Sequence, residues 1–308
     1  MKIRILLLAI ITAGIFFQSC TEDRTGKDQH QTEESIDQNP NTMRVMSFNI
    51  RFDNPNDGEN IWENRKDFVA NLIKVNSDIV GTQEGLANQL EDLDGMLSHM
   101  PFEYERVGIS RDGLENEGEF CAIYYRSERF ELLDNDTFWL SETPNEPGSV
   151  GWDAALPRIV TWAKLYDNNN EHSFFVFNTH FDHRGNEARE NSSRFLLKKI
   201  DEIADESPVI VMGDLNALEN DDPYKILTEV DRGPVQIKLL DGFYHSEEGH
   251  VGPNSTWNGF NEIVPDRRID FIFANPQFTV VKHRILTDTR DGRFPSDHLP
   301  VQAEVKLK

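Results

Sequence analysis

From residue 43 onward the chain alternates short apolar runs with polar breaks, and run after run closes on a polar residue. Residues 43–51 (MRVMSFNIR) set Val45 and Met46 among polar neighbours and predict a strand ending near Asn49. A loop rich in Asp, Asn, Pro and Gly covers 53–60. Trp62, Val69, Leu72, Ile73 and Val75 then fall close to helical spacing over 62–76. Residues 78–84 (DIVGTQE) predict a second strand, ending in an acid, and Leu86, Leu90, Leu93 and Leu97 mark a second helix.

The middle of the chain is strand-rich, with runs at 103–110, 120–126, 137–141, 158–166 and 172–181; NNNE at 168–171 makes a hairpin between the last two. A helix over 186–205 carries Phe195, Leu196, Ile200 and Ile203 on one stripe. A strand at 209–217, a short helix near 222–229 and a long loop over 231–266 lead to closing strands at 268–274, 278–286 and 299–307. Runs such as SFFVF and VIVM are apolar on both faces, as strands covered from both sides must be. The pattern predicts two packed sheets with helices outside, in one α/β domain without internal repeats.

Chemistry collects at the run ends. In VIVMGDLNA (209–217), strand alternation sends Asp214 and Asn216 from the same face where a buried sheet opens to solvent. The alternative is an Asx turn, since Asp and Asn are common turn residues. Asn49, Glu84, His180, Asp270, Asp297 and His298 also stand at strand-like ends. Together these are the residue types that hard-cation chemistry uses.

The first 42 residues differ from the rest. Residues 1–19 have the layout of a secretory signal: Lys2 and Arg4, then an apolar run over 5–17, too short for a spanning helix, before Gln18 and Ser19. Cys20 directly after such a run resembles a bacterial lipoprotein signal with lipid on Cys20; the alternative is a plain signal peptide or uncleaved anchor. Residues 20–42 hold one aliphatic side chain, Ile36, and read as a solvated tether ahead of a domain at 43–308. With Cys20 lipidated only Cys121 remains, so no internal disulfide is expected. Cys121 lies inside an apolar run, which speaks against cysteine catalysis. The 54 acids against 31 bases give a net charge of −23, which excludes a broad phosphate-gripping surface but not a phosphate substrate met by a bound cation. Arg194, Lys198 and Lys199 form the nearest basic cluster and read as a solvated helix face.

SFNIR, TQE, NTHFDH, GDLNA, RRIDFIF and SDHLP, in that order over about 43–307, resemble the endonuclease/exonuclease/phosphatase (DNase I-like) superfamily. The resemblance implies a four-layer α/β/β/α sandwich and metal-dependent hydrolysis of a phosphate ester. It implies Glu84 as the principal Mg²⁺ ligand (Mn²⁺ the alternative), with Asn49 and Asp297 beside it, directly or through water. It implies Asp214 orienting or deprotonating the attacking water and Asn216 donating to a phosphoryl oxygen. His298 contacts the scissile phosphate with Asp270 as its carboxylate partner. His180 is implied as a second phosphate-side histidine paired with Glu119, and Arg158 as a phosphate contact. For Glu119 and Arg158 a surface charge at a strand start is the alternative.

The segment at 140–165 resembles bacterial members grouped near the deadenylase/nocturnin branch. That puts phosphodiesterase or nuclease action (3′–5′ exonuclease-like or endonuclease) first and sugar, inositol or lipid phosphates second. A non-catalytic ligand-binding lipoprotein is the rival class. Substrate choice falls to the loops at 53–61, 110–118, 143–157, 184–188 and 245–267, where Trp152, Trp257, Phe260 and Phe294 either stack a base or sugar or pack the loops. The expected setting is an extracytoplasmic monomer held to an envelope membrane through its N-terminal lipid alone.

Overall fold

The computed structural model describes residues 39–98, 103–114, 117–229 and 237–308. The signal at 1–19, Cys20 and all of the tether before Asn39 lie outside the described residues; the compact unit spans Asn39–Lys308. Its elements are β1 (Thr42–Asn49), α1 (Trp62–Asn76), β2 (Ile79–Gln83), α2 (Ala87–Leu97), β3 (Tyr104–Val107), β4 (Ile123–Arg126) and β5 (Phe130–Trp139). Then come β6 (Ile159–Asp167), β7 (His172–His180), α3 (Asn186–Ala204), β8 (Val209–Asp214), α4 (Asp222–Thr228), β9 (Leu240–Asp241) and α5 (Gly242–His245). β10 (His250–Val251), β11 (Asp270–Ala274), β12 (Phe278–Ile285) and β13 (Val301–Leu307) complete the chain. One sheet runs β10-β12-β13-β1-β2-β4-β3 and the other β5-β6-β7-β8-β11-β9.

Alternation along each strand sorts the apolar residues into three cores, one per interface of a four-layer sandwich. Met43 and Val45 of β1 meet Ile210 and Met212 of β8 and Ile272 of β11 between the sheets. Met46 and Phe48 turn the other way, against Trp62, Val69 and Ile73 of α1 and Leu90 and Leu93 of α2. Val209 and Val211, with Phe271 and Phe273, pack outward on Leu196 and Ile200 of α3 and Tyr224 of α4. Fully burying one such side chain contributes about 1.5–3 kcal/mol, so a slip of one residue in any strand would be severely destabilising. The sheets approach closely at Gly81, where a Cβ would stand 2.6 Å from Met212 Sδ. Beside it Gln83 Nε2 donates to Asn178 Oδ1 across the layer (2.7 Å).

The same parity positions the site. Asn49 shares the inter-sheet face of β1 with Met43 and Val45; Asp214 shares it with Met212, Asp270 with Ile272, and His180 with Val176. Register then aligns them: His180 pairs with Asp214 across β7–β8, and Asp214 with Asp270 across β8–β11.

The elements differ from the sequence pattern in several places. β5 begins at Phe130, seven residues before the predicted start, because it is an edge strand with exposed central residues and a bulge between Leu132 and Asp134, so no apolar alternation announces it. The strand expected at 103–110 forms a ladder over Tyr104–Val107, with Ser110 making an isolated bridge to Phe120. The expected loop at 231–266 contains β9, α5 and β10, of two, four and two residues, too short for periodicity to show. Thr42, assigned to the tether by composition, opens β1 opposite Lys306. Arg129 anchors that entry by donating to the carbonyls of Thr42 (2.8 Å) and Pro40 (3.3 Å) while paired with Asp167.

Candidate active site

Asp214 is the hub. The preceding Gly213 has φ +152°, and a Cβ there would stand 2.1 Å from the Thr179 carbonyl oxygen, so β7 and β8 can close only over glycine. Asp214 Oδ1 accepts the Asn216 backbone N–H at 2.8 Å, which makes the stretch an Asx turn as well as a strand end. Oδ2 faces three groups: Asn49 Nδ2 at 3.1 Å, His180 Nε2 at 3.5 Å and His298 Nε2 at 3.8 Å. Burial, and next the charge of Asp270, raise the Asp214 carboxyl above the ordinary range.

Two histidines flank it in opposite charge states. His298 Nδ1 lies 2.9 Å from Asp270 Oδ2. Burial works against the imidazolium, but Asp270, Asp214 and Asp297 overcome it and push His298 up to about 10. His180 is lowered well below its ordinary value by burial and by the nearby Arg158 and Arg111. Its Nε2 accepts from Asn216 Nδ2 (2.9 Å), so the neutral ring carries its proton on Nδ1. The second Asn216 amide hydrogen goes to the Phe181 carbonyl (3.0 Å). A phosphoryl oxygen would reach that amide by replacing His180 as its acceptor. Asp214 and Asn216 do not share a strand face; β8 ends at Asp214 and Asn216 has φ +46°.

Glu84, Asn49 and Asp297 gather on the other side. Asn49 Nδ2 donates to Glu84 Oε1 (3.0 Å) as well as to Asp214, and its Oδ1 accepts the Arg51 N–H (3.0 Å). Placed so, Asn49 is a donor bridging two carboxylates. Asp297 is raised by burial and by the charge of Glu84, the mark of two carboxylates pressed together. Arg51 lies 3.9 Å from an oxygen of each. Hard oxygen donors short of positive charge fit a divalent ion. Asp214, Asp270 and His298 also bring one ligand atom each within 4.8 Å of one another. There, however, His298 Nδ1 is committed to Asp270, and an imidazolium has no lone pair for a metal. Asp270 Oδ1 is buried without a partner. Glu84, Arg51 and Asn216 all have left-handed backbones (φ 63°, 56° and 46°), a strain of roughly 1–3 kcal/mol each of the kind that collects at functional sites.

A small cleft adjoins His180, lined by Glu84, Arg111, Glu119, Phe120, Cys121, Arg158 and Ile159. Arg158 is 4% exposed, so it is no surface charge. Glu119 does not partner His180 as expected: its carboxylate is taken by Arg111 at 2.6 Å. Arg111 Nε is buried without a partner. Burial pushes the Cys121 thiol up to about 12, so it stays protonated.

Sequence reading passed over Arg111, Asp182 and His183. Asp182 sits behind Arg158, 3.4 Å from its Nε, and accepts the backbone N–H groups of Ala155 (3.1 Å), Arg184 (2.9 Å) and Gly185 (2.7 Å). Burial raises its carboxyl, but those N–H groups and Arg158 outweigh this and hold it at about 2. His183 Nδ1 meets Arg158 at 3.0 Å. The doubled acid and base in THFDH was the available signal; no local rule ties either to residue 158. Ser296 Oγ, also missed, donates to the Asn49 carbonyl (2.7 Å) and joins SDHLP to β1. Trp257 stands edge-on to His298 at 4.8 Å, and Phe294 packs against the inter-sheet core, so both pack the body of the site. On α3, Lys198 and Lys199 both pair with Glu202.

This site, at the open end of a two-sheet sandwich, defines a hydrolase of phosphoric esters that depends on a divalent metal. The Endonuclease/Exonuclease/phosphatase family matches residues 46–298, and the chain belongs to it. An endonuclease/exonuclease/phosphatase from Bacteroides vulgatus is 38% identical, with TM-score 0.80 over 87% of this chain and 99% of that one. A mannosyl-6-phosphatase from Bacteroides thetaiotaomicron is 33% identical, with TM-score 0.77 over 86% of this chain and 100% of that one. The human nocturnin catalytic domain, 20% identical with TM-score 0.68 over 89% of this chain and 97% of that one, shares the fold.

Proposed function

We propose that the protein is a Mg²⁺-dependent phosphatase of small sugar phosphates, working outside the cytoplasm as a lipoprotein monomer anchored through Cys20. The observation that carries the substrate class is the pair of arginines, Arg111 and Arg158, in the wall of a small cleft beside His180. A phosphate monoester carries close to two negative charges at neutral pH, whereas a diester carries one. Arg111 and Arg158 are balanced by Glu119 and Asp182, so what they offer is guanidinium donors, Arg111 Nε among them, which a doubly charged monoester engages more fully. The net charge of −23 opposes a polyanion, and a 33% identical relative is a mannosyl-6-phosphatase. These points reverse the order suggested by the motifs, which placed nuclease action first.

In this reading Glu84 and Asp297 hold Mg²⁺, with Asn49 orienting Glu84. Bound there, the metal supplies Lewis-acid polarisation of the phosphoryl group and eases departure of the alkoxide. Asp214, raised toward neutrality, accepts the proton of the attacking water, while Asn49 fixes its orientation. His298, kept protonated by Asp270, donates to a phosphoryl oxygen, and Arg158 and Arg111 donate to the remaining oxygens. Neutral His180 keeps Asn216 in place.

The test is turnover by the purified full-length protein, with Mg²⁺ and after chelation, on mannose 6-phosphate, single-stranded RNA and DNA, and sphingomyelin. Sugar phosphate should be hydrolysed fastest, chelation should abolish turnover, and Mg²⁺ should restore it. Cleavage of nucleic acid alone would overturn the substrate class.

A further inference from the structure

Arg51 stands two residues past the end of β1, and its guanidinium is gripped by a residue outside every motif. Asp57, in the 53–60 loop, accepts from Arg51 Nε (3.0 Å) and from a terminal nitrogen (3.2 Å). Asn54 Nδ2 in turn donates to Asp57 (2.8 Å), and Phe52 stacks beneath the guanidinium at 4.4 Å. This fork-on-fork hold leaves Arg51 3.9 Å from Glu84 Oε2 and 3.9 Å from Asp297 Oδ2. Both are loose ion pairs beyond hydrogen-bonding distance, and a movement of about 1 Å would close either into a hydrogen-bonded one.

We propose that Asp57 is a positioning residue that holds Arg51 off Glu84 and Asp297 and thereby keeps both carboxylates open to a divalent cation. The inference rests on the reading of Glu84 and Asp297 as the metal-holding pair. Its physical basis is competition for lone pairs. Buried Asp297 and part-buried Glu84 attract whichever cation reaches them, and a tethered guanidinium is present at high local concentration. With Asp57 as its bidentate acceptor, the guanidinium is satisfied elsewhere. Without Asp57 its nearest acceptors are the carboxylates the metal needs. Arg65 fixes the base of the device, donating to the carbonyls of Ile50 (2.6 Å), Arg51 (2.9 Å) and Pro295 (3.0 Å), so Arg51 can respond by side-chain movement alone.

The experiment is titration of the full-length protein with Mn²⁺, followed by electron paramagnetic resonance of the free ion, and with Mg²⁺ by calorimetry. Asp57→Ala should weaken binding roughly 10–100-fold, the usual size of an outer-partner effect, and near-isosteric Asp57→Asn should weaken it less. Adding Arg51→Gln to Asp57→Ala should restore affinity to within about threefold of the unmodified protein, because the competing cation is gone. Unchanged affinity in Asp57→Ala overturns the proposal. So does a loss that Arg51→Gln fails to repair, which would mark a collapsed loop. Glu84→Gln separates the underlying reading: if it binds Mn²⁺ like the unmodified protein, the metal-holding pair is wrong and the proposal falls with it.

Discussion

Asp182→Asn tests how the cleft arginine is held. The carboxylate serves four donors, Oδ1 taking Arg184 and Gly185 at 2.9 and 2.7 Å and Oδ2 taking Ala155 and the Arg158 guanidinium at 3.1 and 3.4 Å. Asparagine keeps the shape but offers one oxygen. That oxygen should stay with the shorter pair, turning NH₂ toward Ala155 N–H and Arg158. Two donors then face a donor inside a site 1% exposed. At about 1–3 kcal/mol for each buried group left unsatisfied, partly relieved by Arg158 shifting toward His183, the loss should be roughly 2–4 kcal/mol. The acid limb reports the same carboxylate. Its pKa is depressed to about 2 in the fold, so its contribution is complete above the unfolded value near 4 and disappears as pH falls through 2. The variant should lack that component. Displacing Arg158 should also lower kcat/KM on a sugar phosphate by about tenfold to a hundredfold, short of the 10²–10³ for losing a transition-state donor outright. Urea unfolding at pH 7 and pH 3, with steady-state kinetics, measures all three. Full kcat/KM together with the predicted loss of stability would refute the positioning of Arg158 and leave Asp182 a loop scaffold.

Asp214→Asn should cut kcat by about 10²–10⁴ while keeping the fold, since an amide cannot take the water's proton; undiminished turnover removes Asp214 from the mechanism. Far from the site, His250 Nε2 meets the Pro253 carbonyl and His250 Nδ1 meets His283 Nδ1 (2.8 Å), which leaves His283 Nε2 buried as an unpartnered acceptor. Burial, and then the facing histidine and Arg268, lower His283 well below its ordinary value, and burial lowers His250. His283 is thereby kept neutral in the fold but is protonated in the unfolded chain below about pH 6.5, so its share of stability should fall on acidification by up to ~1.4 kcal/mol per pH unit. His283→Gln should show a shallower decline in urea midpoint from pH 7 to pH 5; an identical decline would clear His283 of any part in it.

Strand period is a local property, and here the sequence was sufficient. Met43, Val45, Met46 and Phe48 alternate, and that parity alone carries Asn49 to the inter-sheet face, as Met212 carries Asp214 and Ile272 carries Asp270. The order of six short motifs likewise marked the family and the residue types at the strand ends. Charge partners and protonation states were not legible, because they depend on distances across the fold and on burial. Glu119 stands eight residues from Arg111, and their ion pair exists because Phe120 pairs with both Gly85 and Ser110, turning the chain back over the cleft. Arg158 meets Asp182 only across the β6–β7 pairing, and Arg51 meets Asp57 only through the fold of an irregular loop. His180 and His298 look alike in the sequence. One is neutral because it is buried with arginines nearby, the other charged because three carboxylates surround it. The chain itself sets which groups reach the open end of the sandwich; packing in three dimensions sets which of them are charged, and against what.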